Sequence, residues 1–298
     1  MLSILIPTYN YNAFSLVEEL KNQALATGIL FEIIVLDDGS TDEISLKENS
    51  KINTLDNCSF KISNKNIGRS AIRNLLTKTA KFENLLFLDS DTIPTQISFI
   101  SKYITHINDD EKIIYGGILY QKEKPNETKI LRWIYGNKRE ALLVEQRNKN
   151  CYLSFLTLNF LIKKSVFDKV IFNESIPNLR HEDTLFSFGL KQKNIPIFHI
   201  NNPVYHLGIE SSMDFLKKSE EAIIGLHYLI SHHLILPEYT KLSQTYFYLE
   251  KMKLAGIFKF MFNKSQLLLK KNLLSENPSL FVYDLYRIGY YSKSVKKS

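Results

Sequence analysis

The chain has 298 residues, of which 44% are hydrophobic and 23% charged, an ordinary composition for a globular protein. This length fits one large α/β domain with an extension, or two modest domains. No stretch approaches the roughly 18 uninterrupted apolar residues of a membrane span, which argues against an integral membrane protein. Two cysteines, Cys58 and Cys151, give no metal-site spacing and fit a reducing compartment. Because no basic segment with an apolar core precedes the first strand, we expect no signal peptide and a cytoplasmic location.

Strand-like and helix-like runs alternate over the first 115 residues. The predicted strands are 3–6, 32–36, 60–63, 84–88 and 113–115, and the predicted helices lie near 13–26, 42–51, 69–81 and 96–107. This alternation predicts a mostly parallel sheet with right-handed crossovers.

The later part of the chain is less regular and ends in helices. We predict a strand at 154–162, a helix at 182–191 and short strands at 196–199 and 203–206. Helical runs follow near 242–262, 266–274 and 279–291. The predicted domains are therefore 1–210 and a helical extension, 211–298.

Most of the net charge of +7 belongs to that extension. Residues 211–298 contain 13 Lys and Arg against 7 Asp and Glu, whereas the first 210 residues contain 25 against 24. Lysines mixed with aromatic residues favour contact with an anionic membrane surface. The alternative is a helical subdomain that packs on the catalytic domain or on a second subunit of a homo-oligomer. We expect no nucleic-acid partner, because no recognised module accompanies the charge.

Polar or acidic residues follow four successive predicted strands. These groups are Pro7-Thr8-Tyr9-Asn10, Asp37-Asp38-Gly39-Ser40, 66–69 with Arg73-Asn74, and Asp89-Ser90-Asp91. Open α/β sheets bind their ligands at the carboxyl ends of the strands, so the four groups are expected at one edge. Helix capping accounts for one or two residues of the second group, but not for two acids before the glycine. In the last group, two carboxylates one residue apart favour a divalent cation that also holds phosphate oxygens.

In six segments the chain resembles the family 2 glycosyltransferases of the GT-A fold. The segments are ILIPTYN (4–10), IIVLDDGSTD (33–42), NIGRSAIRN (66–74), LLFLDSD (85–91), RHED (180–183) and NPVYHLG (202–208). The resemblance implies an α/β nucleotide-diphospho-sugar transferase fold, with a mostly parallel mixed sheet flanked by helices. It also implies inverting transfer of a sugar from a UDP- or GDP-linked donor to a glycan or lipid-linked acceptor, in surface polysaccharide or glycoconjugate biosynthesis. The expected cofactor is Mn²⁺ or Mg²⁺, held at the Asp-X-Asp motif of residues 89–91.

The resemblance also implies a role for each candidate site residue. Those expected to bind the nucleotide-sugar are Pro7, Thr8, Tyr9, Asp38, Gly68, Arg73, Asp89, Ser90 and Asn159. Tyr9 would stack on the base, Asp38 would accept from a base N–H, and Asn159 would face the donor sugar. Arg73 would meet the base or the diphosphate; the alternative is a surface arginine on its helix.

The expected metal ligands are Asp91, Asp89 and His206; the alternative for His206 is a structural histidine. The metal would act as a Lewis acid on the departing nucleoside diphosphate. Asp183 is the expected catalytic base, with Glu182 orienting the acceptor. The alternative for this pair is two acids that stabilise a helix N-terminus through its dipole.

Two other functions compete with transfer. A sugar-phosphate nucleotidyltransferase would be expected to carry a glycine-rich loop with Arg or Lys after the first strand, where this chain has Pro7-Thr8-Tyr9-Asn10. A non-catalytic nucleotide-sugar-binding scaffold would have no need to keep Asp38, Asp89, Asp91 and Asp183 together.

Overall fold

The computed structural model of the protein describes residues 1–178 and 180–295. Within these residues there are ten β-strands: β1 Leu2–Thr8, β2 Phe31–Asp37, β3 Cys58–Ile62, β4 Asn84–Leu88, β5 Thr92–Pro94, β6 Ile113–Tyr115, β7 Ile118–Leu119, β8 Asn159–Lys163, β9 Ile197–His199 and β10 Val204–His206. The same residues form twelve α-helices: α1 Phe14–Thr27, α2 Glu43–Ser50, α3 Arg69–Thr79, α4 Phe99–Ile104, α5 Ile130–Tyr135, α6 Val144–Asn148, α7 Lys164–Phe167, α8 Glu182–Gln192, α9 Ser212–Ser231, α10 Lys241–Lys251, α11 Ala255–Leu273 and α12 Leu280–Ser294.

The chain divides into two compact units. The first comprises 1–120, 140–175 and 182–208, and the second comprises 121–139, 176–181 and 209–298. The predicted domains, 1–210 and 211–298, differ from this division in assigning 121–139, 176–181 and 209–210 to the first part. Residues 296–298 of the predicted extension lie outside the described residues.

A seven-stranded sheet forms the centre of the first unit, in the order β3-β2-β1-β4-β8-β6-β9. All neighbouring pairs are parallel except those of β8, which runs antiparallel to β4 and β6. A smaller sheet contains β5, β10 and β7. The predicted α/β class, with a mostly parallel mixed sheet flanked by helices, is confirmed.

The strands form where the sequence is apolar without interruption. Residues of β2 and β4 are almost entirely buried, because helices cover both faces of a parallel sheet. The main core packs Phe87 face to face against Phe160, with ring centroids 4.9 Å apart. This core fixes the ends of β1, β2 and β4, where the polar groups begin.

The second unit has its own apolar cluster. Phe262 and Leu273 of α11 pack there with Phe215 of α9 and with Tyr283 and Tyr286 of α12. The packing is close enough that a Cβ added at Gly289 would lie 2.1 Å from the Phe262 ring. These contacts fix which face of α11 is buried.

Two predicted element boundaries are wrong. The predicted strand at 154–162 begins only at Asn159, because Phe155 and Leu158 are buried in an irregular segment, and burial alone does not distinguish loop from strand. The predicted helix at 242–262 is broken at 252–254, where Lys253 has a left-handed φ of 60°. Glycine or asparagine usually marks such a helix end, and lysine gives no such signal.

Candidate functional site at the carboxyl edge of the sheet

The first two polar groups meet because β1 and β2 are in parallel register. Thr8 pairs with Asp37, and the Asp38 N–H donates to the Thr8 carbonyl at 2.9 Å. The chain therefore leaves both strands at the same edge, as predicted for a ligand site at strand ends.

Asp37 and Asp38 have different local partners. The Asp37 carboxylate accepts from the Ser40 N–H at 2.7 Å and from its hydroxyl at 2.5 Å, which closes the turn after β2. The Asp38 carboxylate accepts from the N–H groups of Ile67 and Gly68 at 2.7 and 3.0 Å. Asp38 thus ties this turn to the start of α3, and both its oxygens keep acceptor capacity for a ligand N–H.

Burial raises the pKa of Asp38, while the two backbone N–H groups oppose that rise. Gly39 and Gly68 permit the close approach of the two loops. A Cβ at Gly39 would lie 2.7 Å from the Asn66 nitrogen, and Gly68 has a left-handed φ of 90°.

The group after β1 presents one aromatic ring to solvent. Tyr9 is 50% exposed, whereas Thr8 is buried and its hydroxyl donates to the Tyr11 carbonyl. Asn10 adopts a left-handed φ of 49°, and its side-chain oxygen accepts from the Thr41 and Asp42 N–H groups. Pro7 is part-buried at the end of β1. An exposed ring on a braced loop is suited to stacking on a planar ligand.

Arg73 is a buried cation at this edge. The alternative prediction, a surface arginine on its helix, is therefore wrong. Its side chain is 6% exposed, and Nη2 donates to the Asp89 carboxylate at 2.7 Å. The guanidinium also lies over the Phe172 ring, 5.6 Å from the centroid. Burial raises the pKa of Asp89 and the neighbouring Asp91 adds to the rise, while Arg73 lowers it.

Asp91 and His206 come together through the small sheet. His206 of β10 pairs with Thr92 of β5, and the Leu207 N–H donates to the Asp91 carbonyl at 2.8 Å. The His206 Nε2 lies 3.2 Å from the Asp91 carboxylate. Gly208 leaves room for that carboxylate, since a Cβ there would lie 2.4 Å from Asp91 Oδ2. Ser90 is buried between the two acids of the motif.

These residues fit a divalent cation whose coordination is shared with a ligand. In the described part of the chain, three or more His, Cys, Asp or Glu side chains do not converge as a complete metal site. Asp91 and His206 nevertheless supply a carboxylate and an imidazole in contact, and His206 Nδ1 is buried without a hydrogen-bond partner among the described residues. Two protein ligands completed by phosphate oxygens and water are typical of Mg²⁺ and Mn²⁺ at phosphate sites.

Glu182 and Asp183 occupy the first turn of α8, as predicted. Burial and the neighbouring Glu182 carboxylate raise the pKa of Asp183 to about 6, and Arg73 acts in the opposite direction. A carboxylate that served only the helix dipole would have its charged form stabilised and its pKa lowered. The raised pKa instead suits a proton acceptor that works near neutral pH.

Arg73 therefore interacts electrostatically with both Asp89 and Asp183. Glu182 forms an ion pair with a different cation, Arg69, whose Nη1 lies 3.6 Å from Glu182 Oε1. One buried guanidinium thus interacts with a carboxylate after β4 and with one at the start of α8.

Asn159 is placed differently from the other predicted site residues. It is fully buried, its amide nitrogen donates to the carbonyls of Gly117 and Asn202, and its oxygen accepts from the Tyr103 hydroxyl. The side chain is therefore engaged in holding the loops after β6 and β9. This geometry favours a structural role, and sugar contact by Asn159 stays a prediction.

Sequence reasoning missed two residues near the site. Tyr11 is close enough to Asp91 for that carboxylate to raise its pKa, second to burial. Arg147 is buried, and its guanidinium donates to the carbonyls of Tyr115, Gly116 and Ile200. Neither position carries a sequence signal, since both depend on contacts with distant parts of the chain.

A groove of about 480 Å³ lies away from these residues, at the amino ends of β2 and β3. It is lined by Phe31, Glu32, Cys58 and neighbouring residues, and burial raises the pKa of Cys58 to about 11. Its lining contains none of the predicted site residues, and a thiol with a raised pKa is a poor nucleophile.

The family profile described as glycosyl transferase family 2 matches residues 3–171, more than half of the chain. The chain belongs to this family. The matched range contains the four polar groups at the strand ends and the Asp-X-Asp motif, so the predicted family membership is confirmed.

Curated relatives agree with this membership. The chain is 26% identical over 243 residues, 81% of its length, to an uncharacterized glycosyltransferase of Rickettsia felis (strain ATCC VR-1525 / URRWXCal2). It is 31% identical over 118 residues, 39% of its length, to a chondroitin synthase of Pasteurella multocida (strain Pm70). The matched parts cover 38% and 12% of those proteins, so this chain corresponds to a minor part of each.

A solved structure shares the fold. The crystal structure of S. aureus TarS 1-349 in complex with UDP-GlcNAc aligns with 98% of this chain and 90% of its own, with a TM-score of 0.50 and 18% sequence identity. The family match and this likeness confirm the predicted GT-A fold. The family match confirms the predicted class, a family 2 glycosyltransferase.

Proposed function

We propose that the carboxyl edge of the sheet binds a UDP- or GDP-linked sugar with Mn²⁺ or Mg²⁺ and transfers the sugar, with inversion, to a glycan or lipid-linked acceptor. The observation that carries the proposal is the set of carboxylates around Arg73, which brings the Asp-X-Asp motif and Asp183 into one electrostatic system. Similarity to a chondroitin synthase and to TarS in complex with UDP-GlcNAc supports a nucleotide-sugar donor and a glycan acceptor.

The donor's base would stack on exposed Tyr9, with Pro7 and Thr8 beneath it and Asp38 accepting from a base N–H. Gly68 would bring the start of α3 close to the nucleotide. The diphosphate would lie toward Asp89, Ser90 and Asp91. Asp91 and His206 would hold the metal, which supplies Lewis-acid stabilisation of the departing diphosphate.

Asp183 would accept the proton of the acceptor hydroxyl as its oxygen bonds to the sugar carbon and the bond to the diphosphate breaks. In-line attack from the side opposite the diphosphate inverts that carbon. Glu182 would orient the acceptor and keep the pKa of Asp183 high enough for proton transfer near neutral pH. Arg73 would hold Asp89 in place and offset the negative charge of the site.

The location and assembly of the enzyme are part of this proposal. A lipid-linked acceptor would place the enzyme at the cytoplasmic face of a membrane, in surface polysaccharide or glycoconjugate biosynthesis. In the described residues, no helix is both long and apolar enough to cross a bilayer. We propose that membrane contact is peripheral and made by the C-terminal helices, and a homo-oligomer is compatible with this arrangement.

A donor screen tests the proposal. Purified protein with Mn²⁺ is incubated with a panel of UDP- and GDP-sugars, and released nucleoside diphosphate is measured, because slow hydrolysis substitutes water for the acceptor. We expect release from one donor, abolished in Asp91→Asn and retained in Asp56→Asn, a matched change at an exposed aspartate of the same unit. If the protein binds a nucleoside diphosphate without turnover under any acceptor, the scaffold function replaces this proposal.

A further inference from the structure

One face of α11 exposes large apolar side chains along its whole length. Ile257, Phe260, Met261, Leu267 and Leu268 are between 59% and 83% exposed. Their spacing places them on a single stripe of the helix. Isolated exposed apolar residues are common, but five on one helical stripe form a patch of the kind that marks an interaction surface.

The exposed stripe follows from fixed packing of α11. The opposite face buries Phe262 and Leu273 in the cluster with Tyr283 and Tyr286. Lys270 on the inner side pairs with Glu220 of α9 at 3.1 Å. Rotation of the helix to hide the stripe would expose these buried groups, so the apolar stripe is a stable feature of the second unit.

The charged residues of α11 and of the short segments that flank it are all lysines. Residues 251–275 contain six lysines and no aspartate or glutamate. Lys264 and Lys271 lie within the stripe, and the Lys264 ammonium lies over the Phe260 ring, 5.9 Å from its centroid. A lysine stem that follows an apolar surface can keep its ammonium at the level of lipid head groups while the neighbouring apolar side chains insert.

We propose that this face of α11 lies in the plane of a bilayer surface that contains anionic lipid. The apolar side chains would enter the boundary between head groups and acyl chains, and the lysines would pair with lipid phosphates. A second copy of the chain is disfavoured as the occupant, because a symmetric contact would bring two all-cationic faces together. Membrane contact is thus assigned to one face of α11, and this contact is independent of whether the enzyme transfers a sugar.

Flotation of the full chain with vesicles tests the proposal. Vesicles of phosphatidylcholine alone are compared with vesicles that also contain phosphatidylglycerol, at low and high salt. We expect binding to the anionic vesicles only, weakened by salt because exposed charges are screened. No binding to either vesicle, or equal binding to both, would overturn the proposal.

Paired variants separate the apolar and the cationic contributions. Leu267→Ser with Leu268→Ser, and separately Lys264→Gln with Lys271→Gln, should each weaken binding about tenfold or more. Their matched controls are Leu25→Ser with Leu30→Ser, and Lys47→Gln with Lys78→Gln, which change exposed residues of the first unit and should leave binding unchanged.

All the substituted side chains are exposed, and circular dichroism checks that each variant folds. Light scattering behind a sizing column measures oligomeric state in the same samples. If the wild type is a dimer that the α11 variants convert to monomers, the face is occupied by a second copy and the membrane proposal is wrong.

Discussion

The carboxyl edge of the sheet and the exposed face of α11 are unusual in opposite ways, because proteins normally bury apolar side chains and expose charged ones. At the edge, charged groups such as Arg73 and Asp38 are buried, whereas on α11 large apolar groups such as Leu267 are exposed. Burying charge without need is unfavourable, and so is exposing a continuous apolar stripe. Each region is therefore a candidate binding surface. Buried charges indicate a charged ligand at the sheet edge, and exposed apolar side chains indicate an apolar partner at α11.

The two regions also differ in how their charges are arranged. At the edge, Arg73 pairs with Asp89, and neighbouring carboxylates raise the pKa values of Asp89 and Asp183. On α11 the lysines lie on a helix without acidic residues. Mixed charges in a fixed arrangement suit chemistry on a small ligand, whereas charges of one sign suit attraction to an extended surface.

Removing the proposed base should have the largest effect. Asp183→Asn keeps the shape of the side chain and removes proton acceptance, so kcat for sugar transfer should fall by about 10²–10⁴-fold. Binding of the nucleoside diphosphate should change little, since Asp183 is proposed to contact the acceptor. Steady-state kinetics alongside Asp56→Asn check this, and a variant with more than a tenth of wild-type kcat would rule out Asp183 as the base.

Ion pairs from the two units should differ in their effect on stability. Arg73–Asp89 and Arg139–Asp284 have the same N–O distance of 2.7 Å, but Arg73 is buried and Arg139 is 46% exposed. Arg73→Met removes a buried cation and leaves the Asp89 carboxylate, whose side chain is 33% exposed, without its ion-pair partner. This change should lower the free energy of unfolding by about 1–2 kcal/mol. Arg139→Met should lower it by about 0.5 kcal/mol or less.

Urea unfolding of the two variants measures this difference at neutral pH. Equal losses of stability would mean that the carboxyl edge is as well solvated as the protein surface. The proposed electrostatic coupling through Arg73 would then be wrong.

A smaller effect is expected from crowding Asp91. A Cβ at Gly208 would lie 2.4 Å from Asp91 Oδ2, whereas Gly256 has open space around its Cα. Gly208→Ala should therefore displace the carboxylate and raise the Mn²⁺ concentration for half-maximal activity about tenfold, as expected for a disturbed metal neighbour. Gly256→Ala is the matched control. If the Mn²⁺ concentration for half-maximal activity is unchanged in Gly208→Ala, Asp91 does not bind the metal.

The smallest effect should be a shift in pH dependence. Because the pKa of Asp183 is raised, the base is protonated and inactive below about pH 6, and kcat/KM should rise as pH increases through that value. Glu182→Gln removes a carboxylate that raises this pKa, so the acid limb should move to lower pH. A pH–rate profile measures the limb; movement to higher pH would contradict the assigned cause.

The sequence predicts the parts of the site that follow strands, because strand ends are visible as apolar runs followed by polar residues. Asp38, Asp89 and Asp91 lie at the sheet edge for that reason. For Arg73 the sequence left two alternatives, contact with the base or the diphosphate and a surface position on its helix. It could not decide between them, because the burial of Arg73 depends on contacts with Asp89 and Phe172 later in the chain.

Other features could not be predicted because they depend on long-range contacts. No sequence signal indicates that 121–139 and 176–181 belong to the same compact unit as the C-terminal helices. The apolar run around Asn159 similarly does not reveal that its amide is saturated by Gly117, Asn202 and Tyr103. Composition predicts a basic, aromatic extension, but which face of α11 is exposed follows from the burial of Phe262 and Leu273.

Calorimetric titration with UDP and GDP, with and without Mn²⁺, tests the central claim that the carboxyl edge binds a nucleotide-sugar. We expect one of the two diphosphates to bind with one-to-one stoichiometry. Mn²⁺ should tighten this binding at least about tenfold in the wild type and not in Asp91→Asn, because Asp91 is proposed to hold the metal. Absence of binding by either diphosphate at millimolar concentration, with a folded protein, would contradict it.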